Sequence, residues 1–469
     1  MSATSTSTRS GWVKYLALLV LAAGGLGGGL FLAGQSPNPP PGSSAEQSPT
    51  DGSAQTSPQR FPLTAADAPD TLEAPVLAAD ATGRAYAAWA SRTGDNERTL
   101  FLARSEPGRA FDAPKIVARS GVFKSVSQMK GKTVTRELRM VPHLSAFGQT
   151  LQLAWTETLP GGTGVRTVAT KSEDNGGTFA PLIPLHQGTG ARPTFTAFTS
   201  GPDGALLGSW LDNRNGAQQC YAAVRRPGQT TFDPELVVHS GDDAKGVCPC
   251  CPTAALLTTD GTAYVAFRNV ANGFRDIAIG VKKAGATGFD LHLVVPPTWE
   301  FNGCPHDGPS LARVGDTLHV VWMDARTGSQ RCYHASAKLA DMVFTARELH
   351  PGAIGTQGNA KLFLDAAGTL HAVWEESMGQ EAPPEGGHRH EPVAPKPGGG
   401  GGRAVMYRAL PTGATQFGEA RAVAPKPGAF QTRPAVAVTS QGDVLVAWNE
   451  LDEAGKAVIV TRLGAIGGK

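Results

Sequence analysis

Thr317-Leu318-His319-Val320-Val321-Trp322 has the period of a β-strand, with Leu318, Val320 and Trp322 on one face and His319 and Val321 on the other. Upstream, Gly308 to Arg313 reads as a first strand, joined to it by the turn Gly315-Asp316. Downstream, a loop from Asp324 to Gln330 leads to a third strand opening at Arg331, and a fourth opens near Phe344. The closing tryptophan, or a phenylalanine in its place, recurs at Trp89, Trp155, Trp210, Phe267, Trp322, Trp374 and Trp448, with gaps of 66, 55, 57, 55, 52 and 74 residues. One four-stranded sheet cannot bury both of its faces alone, so a repeat near this length predicts a radial array in which neighbours cover each other.

First strands fall near Pro75, Pro142, Pro193, Pro252, Pro309, Lys361 and Pro434, and fourth strands are expected to open on Phe111, Phe179, Phe232, Phe289, Phe344 and Phe417. The last repeat runs out after its third strand, Ala457 to Leu463, whereas Arg60-Phe61-Pro62-Leu63 near the other end has the aromatic opening of a fourth. Pairing the two removes two exposed sheet edges. The expected fold is all-β, a seven-bladed β-propeller over 59–469, with six blades and a divergent extra sheet as the runner-up.

Composition agrees. The chain has 469 residues with 58 Gly, 35 Pro and 17% charged residues, as in an all-β protein of short strands and tight turns. A formal net charge of +2 gives no reason to expect nucleic acid, and a monomer is expected. Arg9 and Lys14 precede an apolar stretch, Tyr15 to Gly34, just long enough as a helix to cross a hydrocarbon core of roughly 30 Å. Residues 1–34 are therefore a transmembrane signal-anchor or a cleaved signal peptide, and 35–58 a Ser/Pro/Gly spacer. Basic residues on the N-terminal side place the bulk of the chain outside the cytoplasm, periplasmic or extracellular, tethered to the inner membrane or released.

Ser172-Glu173-Asp174-Asn175-Gly176-Gly177-Thr178-Phe179 fits Ser-x-Asp-x-Gly-x-Thr-Phe, with weaker versions at Ser105 to Phe111 and Arg225 to Phe232. Its Ser and Asp side chains suit turn amides, its glycines allow positive φ, and its aromatic can plug a blade. On this motif, residues 72 to 463 resemble the sialidase-like propellers with Asp-box (BNR) repeats. The motif is structural and carries no catalysis by itself.

That resemblance implies an arginine triad for a substrate carboxylate, an acidic proton donor and a tyrosine nucleophile. Arg192, Arg268 and Arg433 are the candidates for the arginines, whose planar forks suit a carboxylate. The family's Arg-Ile-Pro motif is missing, and apart from Tyr15 the tyrosines all fall inside expected strands. A glycan site without glycosidase activity, an exo-acting glycoside hydrolase and a protein-interaction scaffold remain open. Asp212 with Arg214, and Asp324 with Arg326, recur two repeats apart. They are either ligand groups or bridges between blades.

All six cysteines lie between 220 and 332. Cys248-Pro249-Cys250-Cys251-Pro252 and Cys304-Pro305-His306-Asp307-Gly308 each lead into a first strand, in neighbouring repeats, so they are expected on the same rim. Cys220 and Cys332 open third strands in matching contexts and are possible disulfide partners. Six cysteines in an exported domain suggest three disulfides. A propeller of this size needs no staples, however, and thiolates at Cys248, Cys250, Cys251 and Cys304 beside His306 and Asp307 would suit copper, as Cu(I), or zinc. Glu381, Glu385, His388, His390 and Glu391, before a five-glycine run, form a weaker metal motif or a solvated linker. The insertion Lys124 to Arg139, with five basic residues, is expected to be a solvated flap.

Overall fold

The computed structural model describes residues 57–64, 74–129, 132–137, 140–162, 164–187, 190–379 and 402–465. The alternation read in Thr317–Asp324 produces a strand buried on both faces: Leu318, Val320, Val321 and Trp322 are fully buried and His319 nearly so. Leu318, Val320 and Trp322 pack with Ile277, Ile279 and Val281 of the preceding sheet, while Val321 packs with Leu362, Trp374 and Met406 of the following one. Each sheet is thus a layer between two others, the arrangement of propeller blades.

The chain is all-β, and among the described residues its only helical element is the short turn Pro160–Gly162. Five four-stranded antiparallel sheets have inner strands Val76–Ala79, Pro142–Phe147, Thr194–Ser200, Ala254–Leu257 and Ser310–Val314. An eight-stranded sheet holds two further such units, starting at Gln357–Leu364 and Phe430–Val438 and joined by one parallel pairing, Arg403 with Phe430. Each inner strand packs against the next, and Phe430–Val438 packs back against Val76–Ala79. The last unit is completed by Gln59–Pro62, antiparallel to Gly455–Ala465 with Phe61 opposite Val458. This is the pairing of chain ends expected from Arg60-Phe61-Pro62-Leu63.

The recurring tryptophans are buried in second strands, and four of their indoles are satisfied locally, while Nε1 of Trp210 is buried without a hydrogen bond. Trp155, Trp322, Trp374 and Trp448 donate Nε1–H to Glu157, Asp324, Glu376 and Glu450, two residues on, at 2.9, 2.8, 3.0 and 3.2 Å. Residues i and i+2 share a strand face, so a buried ring and a carboxylate meet without distortion. Opposite Trp210, Trp374 and Trp448 the inner strand carries a bulge, with Phe195, Asn359 and Arg433 in the left-handed region at φ 51, 51 and 54°.

The Asp-box turn forms as its residues require. Ser172 Oγ accepts from Gly176 N–H at 2.7 Å, Asp174 accepts from Thr178 N–H at 2.7 Å, and Gly176 takes φ 79° with Leu102 only 3.0 Å from where a Cβ would stand. Phe289 and Phe344 stand directly before the fourth strands Asp290–Leu293 and Thr345–Glu348, as expected, but the other aromatic openings need correction. Phe111, Phe179, Phe232 and Phe417 lie four residues before the fourth strands Lys115–Gly121, Ile183–Pro184, Leu236–His239 and Arg421–Ala422. Phe232 is fully buried and Phe111 9% exposed, and after Phe111, Phe179 and Phe232 the next residue already bonds the third strand, Asp112 N–H to Arg104 O, Ala180 N–H to Lys171 O and Asp233 N–H to Val224 O at 2.7, 2.9 and 2.7 Å, before the regular edge pairing starts. Lys124–Met129 and Lys132–Glu137 form a two-stranded ribbon anchored by Glu137, which accepts from Arg92 at 3.0 Å and from buried Arg98 at 2.6 Å. The apolar stretch Tyr15 to Gly34 and the histidine-bearing loop around His388 lie outside the described residues. No helix among those residues is long and apolar enough to cross a membrane.

Three buried or half-buried histidines tie stability to pH. Burial pushes His143 down to about 3, His334 to about 3 and His319 to about 4, and the last two share a hydrogen bond of 3.0 Å between Nδ1 of His319 and Nε2 of His334. These rings stay neutral when folded but ionise near 6.5 when unfolded, so the unfolded state binds more protons as pH falls below that value. Stability is full above pH 6.5 and falls toward pH 4, by at most about 1.4 kcal/mol per pH unit for each ring. The thermal midpoint should drop between pH 7 and pH 5, and more shallowly in His334→Gln than in the native chain. Equal slopes would show that the ring is not held neutral.

Candidate functional site

At one end of the sheets, second strands finish where first strands begin, because the two are antiparallel. The connections into Ala254–Leu257 and Ser310–Val314 run over that end and carry four of the six cysteines. Backbone contacts pin the first connection across two sheets: Val247 N–H donates to Gln218 O at 2.8 Å, Cys248 N–H to Arg268 O at 3.1 Å and Thr253 N–H to Phe195 O at 3.1 Å. The second connection is pressed against the first at Gly308, where a Cβ would stand 2.1 Å from Pro252 O. Only glycine permits that approach.

The two connections bring five soft donors together. Cys248, Cys250 and Cys251 have sulfurs within 4.8 Å of one another, and so do the donor atoms of Cys250, Cys304 and His306. Cys248 Sγ lies 3.5 Å from both Cys250 Sγ and Cys251 Sγ. Cys248, Cys250 and Cys251 are buried, packed with Phe195 and Val270, whereas Cys304 and His306 are half-buried. His306 holds φ 54°, in the left-handed region that non-glycine residues seldom occupy without a local reason.

Two arginines lie beneath the sulfurs. Arg275 Nη1 donates to Cys248 Sγ at 3.1 Å, while its Nε donates to Phe301 O at 2.7 Å. Arg268 is 1% exposed and stacks over Trp299 at 5.1 Å. It donates to Arg275 O, Asp307 O and Met323 O at 2.8, 3.1 and 2.7 Å. Hydrogen bonds from the Cys250 and Cys251 thiols, and then the charges of Arg275 and Arg268, hold Cys248 well below the usual thiol range. Its hydrogen bond with Cys248 pushes Cys250 up, and burial pushes Cys251 up. The cluster therefore accommodates one thiolate readily, and further ionisation needs an added cation.

Other candidates are placed differently. No pair of the six cysteines is at disulfide distance. Cys220 and Cys332 do not face each other: each is fully buried in a separate apolar cluster, beside Leu211 and Val238 and beside Met323 and Leu349 respectively. Burial pushes both thiols up. The expectation of staples fails because these two are core residues of sheets with another sheet between them. Asp324 pairs with Arg326 inside one loop, the guanidinium lying over Tyr333 at 4.7 Å, and Asp212 pairs likewise with Arg214 over Tyr221. Arg326 also reaches Asp276 of the preceding sheet at 3.7 Å.

The three arginines have separate surroundings: Arg268 lies under the sulfurs, Arg192 is exposed with its N–H on Asp212, and Arg433 donates its N–H to Glu375 at 2.7 Å. Asp307 is buried, accepts from Asn359 N–H at 2.6 Å, and leaves Oδ1 without a hydrogen bond; burial pushes it up. Tyr86, Tyr221, Tyr264, Tyr333 and Tyr407 are buried in strands and pushed up by desolvation, Tyr86 to about 12. A cleft of about 420 Å³ lies elsewhere, lined by Arg119, Glu157 and Arg166, with Arg166 paired to Glu157. Arg275 was not among the residues expected at the site. Its one signal in the sequence is a cation within the loop that follows Phe267 in the cysteine-bearing repeat.

No protein-family model and no curated protein matches the chain. Among solved structures it is similar to the β-propeller domain of the trilobed protease from Pyrococcus furiosus, at 8% identity over 85% of this chain and 100% of that one, with a TM-score of 0.46. It is also similar to an α-L-arabinanase from Penicillium chrysogenum complexed with arabinobiose, at 12% identity, 87% and 99% coverage and a TM-score of 0.43. The NanB sialidase from Streptococcus pneumoniae matches at 9% identity, 87% and 70% coverage and a TM-score of 0.42.

Gly308→Ala tests whether the contact between the two connections holds them together. The added methyl must displace the Pro252 carbonyl, so a loss of about 1–3 kcal/mol is expected in chemical denaturation. Gly288→Ala, with nothing within 4 Å of its added Cβ, should leave the midpoint nearly unchanged. Equal midpoints for the two variants would show that the segments are not pressed together.

Proposed function

We propose that this chain is an exported seven-bladed β-propeller that holds a soft metal, copper as Cu(I) or zinc as Zn(II), in thiolate donors on one rim. The observation that carries the reading is the convergence of Cys248, Cys250, Cys251, Cys304 and His306 from two adjacent connections. Soft thiolates with an imidazole are the donors such ions prefer. Buried sulfurs that lack disulfide partners, in a fold with an ample core, have no stabilising task that alanine or valine would not perform. Arg275 and Arg268 support the reading because they offset the negative charge that deprotonated sulfurs bring into a buried site.

Seven blades are supported by the succession of inner strands and by the completion of the last unit with Gln59–Pro62. Export and a membrane tether rest on Arg9, Lys14 and the apolar stretch Tyr15 to Gly34. Glycosidase activity is not part of the proposal: Arg268 spends its donors on backbone carbonyls, and the buried tyrosines are poorly placed as nucleophiles. An exposed arginine such as Arg192 leaves room for a glycan or protein partner on the same rim.

The full chain, reduced under anaerobic conditions and incubated with Cu(I) or Zn(II), should retain metal through gel filtration. Cys304→Ser should lower affinity by at least about tenfold while leaving the far-ultraviolet circular dichroism unchanged. His306→Ala provides a second variant should Cys304→Ser disturb folding. Failure of the reduced native chain to retain either metal would overturn the proposal, as would folded variants that retain as much metal, as tightly, as the native chain.

A further inference from the structure

Resting on the soft-metal reading, we infer that the site takes two Cu(I) ions, bridged by the thiolate of Cys250. The donors close up three at a time: Cys248, Cys250 and Cys251 form one set, Cys250, Cys304 and His306 the other, and Cys250 is common to both. A metal–sulfur bond of about 2.3 Å requires sulfurs about 4.0 Å apart around a three-coordinate ion. The 3.5 Å separations of Cys248 from Cys250 and from Cys251 need only a small outward adjustment to meet that. A single tetrahedral ion would instead draw on four donors at once, and would leave the fifth with no task.

Three-coordinate sulfur-rich sites suit Cu(I), whereas Zn(II) in closed sites takes four ligands. Charge alone does not decide between them. Four thiolates, the guanidiniums of Arg268 and Arg275, and either two Cu(I) or one Zn(II) all sum to zero. The grouping of donors decides. It also makes the two positions unequal: the all-sulfur set is buried, while Cys304 and His306 are half-buried and give the outer position its access. His306 holds a left-handed backbone conformation between Pro305 and buried Asp307, so it belongs to a connection whose conformation is set by its neighbours. A thiolate retains lone pairs after binding one ion, so Cys250 can serve both positions without a further ligand.

Anaerobic titration of the full reduced chain with Cu(I), against a chromophoric Cu(I) chelator, should saturate at two ions per chain, and X-ray absorption should show a short copper–copper vector. His306→Ala should reduce the tightly held copper to one ion with all-sulfur coordination. Cys250→Ser should abolish the copper–copper vector; because Cys250 is buried, the half-buried His306 variant keeps the test independent of its folding. Saturation at one ion per chain, with no metal–metal vector, would overturn the two-ion inference and leave the soft-metal reading standing. No retained copper or zinc at all would overturn both.

Discussion

A sheet that is apolar on both faces is stable only between two others, and a row of such sheets must either close or expose its ends. Here the ends meet through one short strand. Gln59–Pro62 supplies the missing edge of the last unit, and its side chains reach forward to the first. Gln59 brackets Phe111 with two hydrogen bonds of 2.7 and 2.8 Å, and Phe61 packs at a tilt of 36° against Trp89, with ring centroids 4.8 Å apart. Arg60 meanwhile binds Glu450 and Asp452. A four-residue strand is weak in isolation, but its contribution is geometric: it fixes the spacing of sheets and therefore the positions of the connections between them. The cysteine-bearing connections inherit their register from that spacing.

Much of this was legible because period-two burial and a closing tryptophan are local signals. The expected strands Thr317 to Trp322 and Ala457 to Leu463 fall within Thr317–Asp324 and Gly455–Ala465. The aromatic openings at Phe111, Phe179, Phe232 and Phe417 were read four residues early, because a phenylalanine that plugs a turn looks, in sequence, like one that begins a strand, whereas Phe289 and Phe344 were read in place. The two connections bearing Cys248 and Cys304 were expected on one rim. What the sequence does not contain is which sulfurs face each other, since that depends on Gly308 meeting Pro252 and on Arg275 reaching across its loop. Cys220 and Cys332 had matching contexts and were read as possible disulfide partners, yet matching context marks the same place in two different sheets, which puts them apart.

The arginines under the sulfurs explain why this corner is not simply an apolar core. A guanidinium as buried as that of Arg268 is costly unless its hydrogen bonds are met and its charge is offset. Three carbonyls and the Trp299 ring answer the first demand. The nearby acids Asp307 and Asp324 answer the second only in part, because burial pushes Asp307 up and Asp324 is already paired with Arg326. A thiolate at Cys248 supplies further negative charge, and Arg275 draws it out through a direct contact.

That arrangement has an energetic consequence for metal binding. In a small zinc domain much of the metal's binding energy goes into folding the chain. Here the connection that carries Cys248, Cys250 and Cys251 is held to the propeller by backbone hydrogen bonds with Gln218, Arg268 and Phe195. On the soft-metal reading, ordering entropy is met by the propeller, so the free energy of metal–sulfur bonding would appear as affinity rather than as fold stability. On that reading the buried sulfurs would differ from structural zinc knuckles in a measurable sense: loss of the ion would leave the sheets beneath as they are, with half-buried Cys304 and His306 as the route of exchange.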